Sequence, residues 1–504
     1  MQIVSFYFFL FLILTTFTYY LVPKNKRWFV LLVSSLFFFY KASSSLFMIV
    51  YLMIGVISTY IGSILINKYN NNTKKKKIIY IITLLTIISE LFLFKYINIF
   101  PLTANAFGRL FSINIGFKYL SIIAPLGISY YTLSLISYVT DVYLDACVAQ
   151  KNFFKHTLFS CYYPVMISGP VIKYNKIKDT LFDGNKFEWD NIYHGFTRVI
   201  YGLMKKLIIA NQLSNIVKII FADYHAFSGY FIIIGTFFYA IQIYADFSGC
   251  MDIVIGSSKL YGVILPENFN SPFFSKNLSE FWRRWHISLG EWGKEYIMYP
   301  LLKSSTFQNL GKITKKKFGK KYGKMIPTVL SIFILWLIIG LWHGASFRYI
   351  FAAGILPWIY LTTGQFFGEY PKNLAKKLNI KTDCFSYRLF ESFRTLAFMC
   401  FIWLFACSPS LLDSLDVIKS IFVLPTKGLS DILNLLPVNI ILLTSSLVII
   451  VDYMNYKEIN VYEWFKKQNL CFRWFILLLM IGLTLVYGVY GPGYNAADFI
   501  YGGF

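Results

Sequence analysis

The chain has 504 residues and a formal net charge of +24; 57% of the residues are hydrophobic and only 14% are charged. Ordinary soluble domains are about 25% charged, so most helices of this chain could not present a polar face to water. The composition argues against a soluble multidomain enzyme, a disordered protein and a disulfide-rich secreted scaffold. It predicts an all-α polytopic membrane protein.

Apolar runs long enough to cross a bilayer recur along the chain, since a helical span needs about 20 apolar residues. We expect roughly ten to twelve membrane helices. The candidate spans are 3–22, 28–66 (a hairpin), 78–98, 119–140, 192–221, 228–246, 326–347, 350–367, 388–408, 437–453 and 474–490. Two more apolar stretches, 153–172 and 247–275, are interrupted by Gly and Pro. They are predicted to form short or re-entrant pieces buried in protein.

Lysines and arginines cluster in the loops between these runs, at 23–27, 68–77 and 276–325. Basic loops between spans are typical of the cytosolic side. The segment 454–473 is also basic, so the last span should exit and leave the tail 491–504 at the outer face. Because the basic residues are confined to loops, no separate basic face for nucleic acid is expected.

The densest polar cluster is 277–292, where Asn277 followed by Glu280 is a helix-start signal. As one helix, the segment places an aromatic stripe on one face and two arginines off it. The stripe is Trp282, Trp285, Leu289 and Trp292, and the arginines are Arg283 and Arg284. Two interpretations stay open: an amphipathic anchor at the membrane interface, or an anion-facing surface at a pore mouth with His286 as a polar contact.

A second histidine, His343, follows an uncharged apolar run that starts near Ile326, so it should lie within the membrane. An ionisable residue there is costly and is a functional candidate by default. Gly340 and Gly344 flank it at a spacing that lets another backbone or a ligand approach closely. A packing histidine bonded to a carbonyl is the alternative.

Three polar residues interrupt another apolar region: Asp246, Ser248 and Asp252. Two acids there need partners, which the sequence does not identify. A structural role is the favoured interpretation, and a cation-transport site is its rival. No paired Cys/His spacing occurs, so no metal site is predicted.

These motifs together resemble a known family. The run PENFNSPFFSKNLSEFWRRWHISLGEW (266–292) is preceded by YAIQIYADFSGCMDIVIG (239–256) and followed by GLWHG (340–344). It is similar to the membrane-bound O-acyltransferase (MBOAT) superfamily, in particular to the branch of the alginate O-acetyltransferase membrane subunit. GISYYT (127–132), SGP (168–170) and GLMKK (202–206) extend the resemblance over nearly the whole chain.

The resemblance implies a single domain over 1–504, with a ring of helices and short re-entrant or interfacial helices around a central funnel. It implies His343 and His286 as catalytic residues. Donor binding would fall to Arg283, Arg284, Trp282 and Trp285. No permanently bound cofactor is expected, and acetyl-CoA is the expected donor. The acetyl group would move from this cytosolic thioester to the outer face, for O-acetylation of a cell-envelope or exported polysaccharide.

The C-terminal sequence Phe499–Phe504 resembles the FxYxxF ending of this branch. It implies that Tyr501 is a transient acyl carrier; two aromatics at the lipid interface are the alternative. The implied partners are an extracytoplasmic SGNH-type transferase or other acyl-accepting protein, the polysaccharide and membrane lipids. The implied location is the bacterial cytoplasmic membrane.

Two other functions stay open at this point. One is D-alanyl transfer to teichoic acid, the activity of a related branch. The other belongs to a different class, a polytopic transporter of ions or envelope precursors with Asp246 and Asp252 as coupling acids.

Overall fold

The computed structural model describes residues 2–491 apart from 44, 111, 112, 114, 115, 121–123, 345, 409, 429, 435 and 436. This part of the chain is α-helical, and its one β-type pairing is an isolated bridge between Phe269 and Trp285. It forms two compact units. The first runs to Val199 and includes Met251–Pro266; the second comprises Ile200–Cys250 and the chain from Glu267 onward.

The helices of the first unit occupy the N-terminal part of the chain. They are α1 (Phe6–Leu21), α2 (Arg27–Ser43), α3 (Leu46–Lys68), α4 (Thr73–Leu91), α5 (Ile99–Leu110), α6 (Ile128–Tyr143), α7 (Phe153–Cys161), α8 (Tyr163–Met166), α9 (Tyr174–Phe182) and most of α10 (Trp189–Met204). The last turns of α12 (Tyr230–Lys259) also belong to the first unit. The helix before it, α11 (Asn211–Ala222), belongs to the second unit.

The second unit contains the other helices. They are α13 (Leu278–Arg284), α14 (Ile287–Gly293), α15 (Tyr299–Lys303), α16 (Ser305–His343), α17 (Phe347–Ile350), α18 (Leu356–Phe367), α19 (Glu369–Lys377), α20 (Phe385–Cys407), α21 (Leu411–Ser420), α22 (Ser430–Leu433), α23 (Val438–Tyr456), α24 (Val461–Lys466) and α25 (Leu470–Tyr487). Wider π-helical turns occupy Phe92–Tyr96, Lys205–Ala210, Lys294–Met298 and Phe351–Ile355.

Eight of the described helical segments are long and apolar enough to cross a membrane, fewer than the ten to twelve expected from the sequence. They are α3, α4 with Phe92–Tyr96, α12, α16, α17 with its continuation through α18, α20, α23 and α25. α1 is apolar but has only 16 residues. The chain is thus a multi-pass membrane protein, and shorter helices account for the lower count.

Two sequence expectations about helix boundaries were wrong. The stretch 247–275 was expected to form short or re-entrant pieces separate from the span 228–246, but α12 continues to Lys259 as a helix of 30 residues. The expected span 119–140 begins as a helix only at Ile128, after Gly127 adopts a left-handed conformation with φ 70°. Gly127 permits that φ because it has no Cβ, so its position, rather than the apolar run, determines where α6 begins.

Small residues bring the helices of the first unit close together. On α3, Gly55, Thr59 and Gly62 are buried, and a Cβ at Gly62 would overlap the side chain of Thr83 on α4. Large apolar residues such as Ile57 cover the exposed face of the same helix. Small residues at helix contacts are typical of membrane bundles, where close packing rather than exclusion of water holds helices together.

α16 carries the second histidine of the sequence motifs, and it is not straight. Gly319 has φ 76°, so two helices meet there at a kink. The lysine-rich part before and around the kink is mostly exposed, and the apolar part leads to His343 at the C-terminal end. The kink therefore separates a solvent-exposed basic arm from the membrane part of α16.

Candidate active site

The segment 277–292 is not one helix, so the expected aromatic stripe on a single face is wrong. α13 ends at Arg284, Trp285 is extended (φ −110°, ψ 127°), and His286 is left-handed (φ 48°, ψ 51°) before α14 begins. The Trp285 backbone pairs with Phe269 instead of continuing the helix. A non-glycine residue in the left-handed region is uncommon and is held there by its surroundings.

Backbone hydrogen bonds on both sides of His286 hold this break in place. The N–H of Ile287 donates to the carbonyl of Asn268 at 3.0 Å, and the N–H of Asn270 donates to the carbonyl of Arg284 at 3.0 Å. The extended stretch 266–270 thus supplies hydrogen-bond partners for backbone groups that would be paired within the helix if α13 continued. This arrangement turns the His286 ring away from the α13 surface and towards the core.

Asn268 determines which nitrogen of His286 carries the proton. Asn268 Oδ1 accepts from the backbone N–H of Ser288 at 3.0 Å and lies 3.3 Å from His286 Nδ1. A backbone N–H can only donate, so the facing Asn268 atom is its oxygen, and His286 Nδ1 must be the donor to it. In the neutral ring Nε2 then carries no proton, so it can only accept a hydrogen bond.

The surroundings of His286 favour its neutral form. The side chain is 5% exposed, and the Phe247 ring lies edge-on with a centroid separation of 4.8 Å. Burial lowers the pKa of His286 well below its ordinary value of 6.5, and the charge of His343 lowers this pKa further. Desolvation disfavours an imidazolium, as does a second positive ring nearby.

The two motif histidines lie in one neighbourhood. His286 is 6.1 Å from the Trp342 ring, and Trp342 is 5.0 Å from the His343 ring, both as centroid distances. His343 is half-buried at the C-terminal end of α16. Residues 57 positions apart in the sequence therefore form one polar site with an aromatic wall.

His343 lies towards one boundary of the apolar part of α16. Ile326 and His343 are 17 positions apart, which corresponds to about 26 Å of helix, close to the roughly 30 Å of a hydrocarbon core. If the lysine-rich arm is cytosolic, as the loop charges indicate, His343 is displaced towards the outer side.

Glycines fix the end of α16 that carries His343. A Cβ at Gly340 would lie 3.0 Å from the Cα of Gly354, and one at Gly344 would lie 2.5 Å from the Tyr349 ring. The predicted close approach of another backbone is thus present at Gly340, where the Phe351–Ile355 segment packs against α16. The absence of side chains at these positions lets the helix end pack without a gap.

The four side chains expected to bind the donor have different surroundings. Arg284 is engaged within the protein: its Nη2 is 2.9 Å from Glu280 Oε1, and its Nη1 donates to the Asn270 carbonyl at 3.1 Å. Trp285 is buried, and Trp282 is half-buried against Trp336 at 4.7 Å between ring centroids. Arg283 is exposed, so it is the one of the four that an incoming anion could contact without rearrangement.

The acids in 246–252 have basic partners that sequence reasoning did not identify. Lys206 forms a buried ion pair with Asp246, with the two side chains 1% and 3% exposed. Lys205 Nζ donates to the hydroxyl of Ser248 at 2.9 Å. Both lysines start the π-helical turn Lys205–Ala210. The GLMKK run contributes to the family resemblance, but no spacing rule connects it to residues 40 positions later.

Asp252 has a partner within the first unit. Arg198 Nε lies 3.0 Å from its Oδ1, and both side chains are largely buried. Two of the three polar positions in this run are thus engaged in ion pairs.

Tyr501, the expected acyl carrier, lies outside the described residues.

Comparison with known proteins connects this geometry to a family. Residues 148–314 match the model of the membrane-bound O-acyltransferase family, MBOAT. This segment of the chain therefore resembles an MBOAT domain. The matched segment contains the Lys206–Asp246 pair, Asn268 and His286, and it ends before His343.

Individual relatives include enzymes that modify envelope polymers. The chain is 34% identical over 257 residues to a probable alginate O-acetylase, AlgI, of Pseudomonas aeruginosa (51% of this chain, 46% of the relative). It is 26% identical over 463 residues to a peptidoglycan O-acetyltransferase of Helicobacter pylori (81% and 80%). It is 28% identical over 256 residues to a teichoic acid D-alanyltransferase of Bacillus subtilis (50% and 62%). The matched part spans about half the length of the alginate relatives.

Proposed function

We propose that this protein is an O-acetyltransferase that moves an acetyl group from a cytosolic thioester to the outer face of the membrane, for O-acetylation of an envelope or exported polysaccharide. The observation that carries the proposal is the shared site of His286 and His343, of which His286 lies in the segment that matches the MBOAT model. The likeness to an alginate O-acetylase and a peptidoglycan O-acetyltransferase supports acetyl as the group transferred.

His343 acts as the general base. As the acceptor oxygen attacks the thioester carbonyl, His343 takes the hydroxyl proton, the C–S bond breaks, and the thiolate leaves and takes up a proton. The ordinary pKa of an imidazole is about 6.5 and that of a phenol about 10, so a phenol or sugar hydroxyl is not deprotonated beforehand. The proton therefore moves as the C–O bond forms.

His286 acts as a hydrogen-bond acceptor that positions a reactant. Its Nδ1–H is engaged by Asn268 and its ring is held neutral, so Nε2 offers a lone pair. Polarising the thioester carbonyl through Nε2 would require the imidazolium, which burial disfavours. Positioning a reactant therefore fits the surroundings of His286 better than polarising the thioester carbonyl.

The donor we propose is acetyl-CoA, with Arg283 and Lys294 attracting its phosphates on the cytosolic side. The acetyl group passes through Tyr501, as carrier, to an extracytoplasmic SGNH-type transferase that esterifies the polysaccharide. The host membrane is the bacterial cytoplasmic membrane. A thioester, an aryl ester and an alkyl ester have successively poorer leaving groups, so each transfer runs downhill.

The transporter alternative has less support from the site. Its coupling acids would be Asp246 and Asp252, and these carboxylates are engaged by Lys206 and Arg198. A coupling acid must bind and release a cation during each cycle, and a buried pair with a basic side chain opposes that. D-alanyl transfer remains the second candidate, because a teichoic acid D-alanyltransferase is among the relatives.

The experiment uses purified protein in proteoliposomes with acetyl-CoA radiolabelled in the acetyl group. We expect a base-labile acetyl label on the protein or on an added acceptor, together with release of free CoA. His343→Ala should lower the rate by about 10²- to 10⁴-fold, and His225→Gln, at an exposed histidine outside the site, should leave it unchanged. Acetyl transfer at the normal rate by His343→Ala would refute the general-base role of His343, and the absence of acetyl transfer by the wild type would refute the proposed activity. Labelling only from a D-alanyl carrier-protein thioester would favour the second candidate.

A further inference from the structure

The second unit contains a large apolar groove that the proposed chemistry does not use. Its volume is about 720 Å³, within the range of about 300–1,000 Å³ typical of small-molecule sites. α12, α20 and α23 form its walls, with Ile209, Phe273 and Phe274 completing it. The catalytic histidines are not among the residues that line it.

The groove opens sideways, through helices that are long and apolar enough to span a membrane. Leu389 and Phe393 on α20 are 43% and 61% exposed, and Ile449 on α23 is 58% exposed. All three line the groove. Exposed apolar side chains on a membrane-spanning helix face lipid rather than water, so an acyl chain can enter from the bilayer.

One end of the groove carries positive charge. Arg388, in the first turn of α20, and Lys457, directly after α23, both line it and are both exposed. Neither forms an ion pair within the described part of the chain, and the Lys457 ammonium lies over the Tyr453 ring at 5.6 Å from its centroid. Lys457 lies in the basic segment 454–473, which the loop charges place on the cytosolic side.

The acid that lines the groove is already engaged. Both carboxylate oxygens of Asp452 face the Tyr244 hydroxyl, at 2.7 and 2.9 Å, and the residue is buried. Arg388 and Lys457 outnumber this one carboxylate, so the charged groups that line the groove are cationic on balance. The groove combines an apolar slot with a cationic end at the membrane boundary, which is complementary to an anionic amphiphile.

We propose that this groove binds an anionic glycerophospholipid of the bilayer, with its phosphate between Arg388 and Lys457 and one acyl chain along α20 and α23. The Tyr244 ring lines the groove and lies 6.1 Å from the Trp285 ring, between centroids, next to His286 in sequence. The bound lipid would thus support the aromatic wall beside the proposed active site. This inference is independent of which acyl group is transferred.

The test compares lipid retention by the purified full-length protein, measured by native mass spectrometry with phosphatidylglycerol and with phosphatidylcholine of the same chains. Each basic residue near a membrane surface favours an anionic lipid by about fivefold, so two should give a preference of about 25-fold. The double variant Arg388→Gln with Lys457→Gln should bring the ratio of retained phosphatidylglycerol to retained phosphatidylcholine close to one. The matched control, Lys316→Gln with Lys317→Gln in the basic arm of α16, should keep the wild-type ratio.

A second variant tests the slot itself. Ser445→Phe places a ring in the groove and should reduce retention of both lipids while the melting temperature is maintained. Phosphatidylglycerol with a photoreactive group in its chain should crosslink to peptides covering 385–396 and 445–456. The proposal would be overturned if the wild type retained the two lipids equally, or if the double variant kept the preference for phosphatidylglycerol. It would also be overturned if the photoreactive lipid crosslinked to other peptides, or if acetyl-CoA displaced the bound lipid.

Discussion

Asn268 Oδ1 lies 3.3 Å from Nδ1 of His286 and also accepts the backbone N–H and the hydroxyl of Ser288. One side-chain oxygen thus fixes the ring orientation, the protonated nitrogen and the start of α14. Because the Ser288 N–H cannot accept, this arrangement allows only one neutral tautomer of His286. Asn268 is a positioning residue for the site.

The first prediction concerns the charge at Asn268. Asn268→Asp places a carboxylate against Nδ1–H, which favours the imidazolium, so the pKa of His286 should rise. The fraction of neutral His286 at a given pH then falls, and the acidic limb of the pH–rate profile should move to higher pH. Acetyl transfer by proteoliposomes over a pH series measures this shift.

Asn270→Asp is the control, since Asn270 is exposed and two residues away; its profile should match that of the wild type. Asn268→Ala should cost about 1–3 kcal/mol of stability, because the Ser288 N–H loses its buried acceptor. A profile that does not move in Asn268→Asp would show that His286 does not act through Nε2.

The second prediction concerns Tyr501. If its phenol carries the acetyl group, Tyr501→Phe should abolish the base-labile label on the protein and transfer to the external acceptor, while the His343 site remains intact. Intact-protein mass spectrometry after incubation with acetyl-CoA measures a mass increase of one acetyl group. Tyr487→Phe, at an exposed tyrosine on α25, is the control; unimpaired transfer by Tyr501→Phe would discard the carrier role alone.

The third prediction concerns the buried pair of Lys206 and Asp246. Asp246→Asn leaves a buried ammonium without its counter-ion and should lower stability by about 3–5 kcal/mol. Replacing both, with Lys206→Met and Asp246→Leu, should cost less because no charge remains buried. Unfolding in detergent, followed by tryptophan fluorescence, gives both values.

An exposed pair provides the comparison for these variants. Lys419 Nζ is 2.9 Å from Asp416 Oδ1, and both side chains are mostly exposed. Asp416→Asn should change stability by at most about 1 kcal/mol. Similar losses for the buried and the exposed pair would contradict the account of Lys206 and Asp246.

The fourth prediction concerns the end of α16. Gly340→Ala brings a Cβ to 3.0 Å from the Gly354 Cα, so the backbone of α16 or of Phe351–Ile355 must shift. We expect a loss of about 1–3 kcal/mol and slower acetyl transfer, because His343 moves with the helix end. Gly364→Ala is the matched control: nothing lies within 4 Å of its Cβ, and alanine suits a helix interior better by about 1 kcal/mol. Normal stability and activity in Gly340→Ala would show that this contact does not position His343.

The fifth prediction concerns sidedness. A hydrogen bond with the Ser386 hydroxyl lowers the pKa of the Cys384 thiol, so more reactive thiolate is present at neutral pH. As the sole cysteine of an otherwise cysteine-free variant, Cys384 should react with a membrane-impermeant maleimide in inside-out vesicles and not in intact cells. A single cysteine introduced by Lys427→Cys, beyond α20, should react in intact cells and not in inside-out vesicles. Labelling of Cys384 from outside would invert the orientation derived from the loop charges.

Composition and hydropathy by themselves determine much of this protein's architecture. So little charge and so many apolar runs leave helices as the way to satisfy backbone groups in a bilayer. Local patterning therefore predicted the fold class and the α2–α3 hairpin, whereas the catalytic roles of His286 and His343 stay predictions. Apolar composition alone does not reveal where a helix ends, as the start of α6 after Gly127 illustrates.

Tertiary structure decided what depends on partners distant in sequence. The break at Trp285 and His286 arises because the 266–270 stretch offers hydrogen bonds, and no helix signal in 277–292 contains that information. Lys206 and Asp246, 40 positions apart, meet only because π-helical and α-helical segments pack side by side. Sequence patterns report local periodicity, whereas the tautomer of His286 and the pairing of buried charges follow from contacts that exist only once the chain has folded.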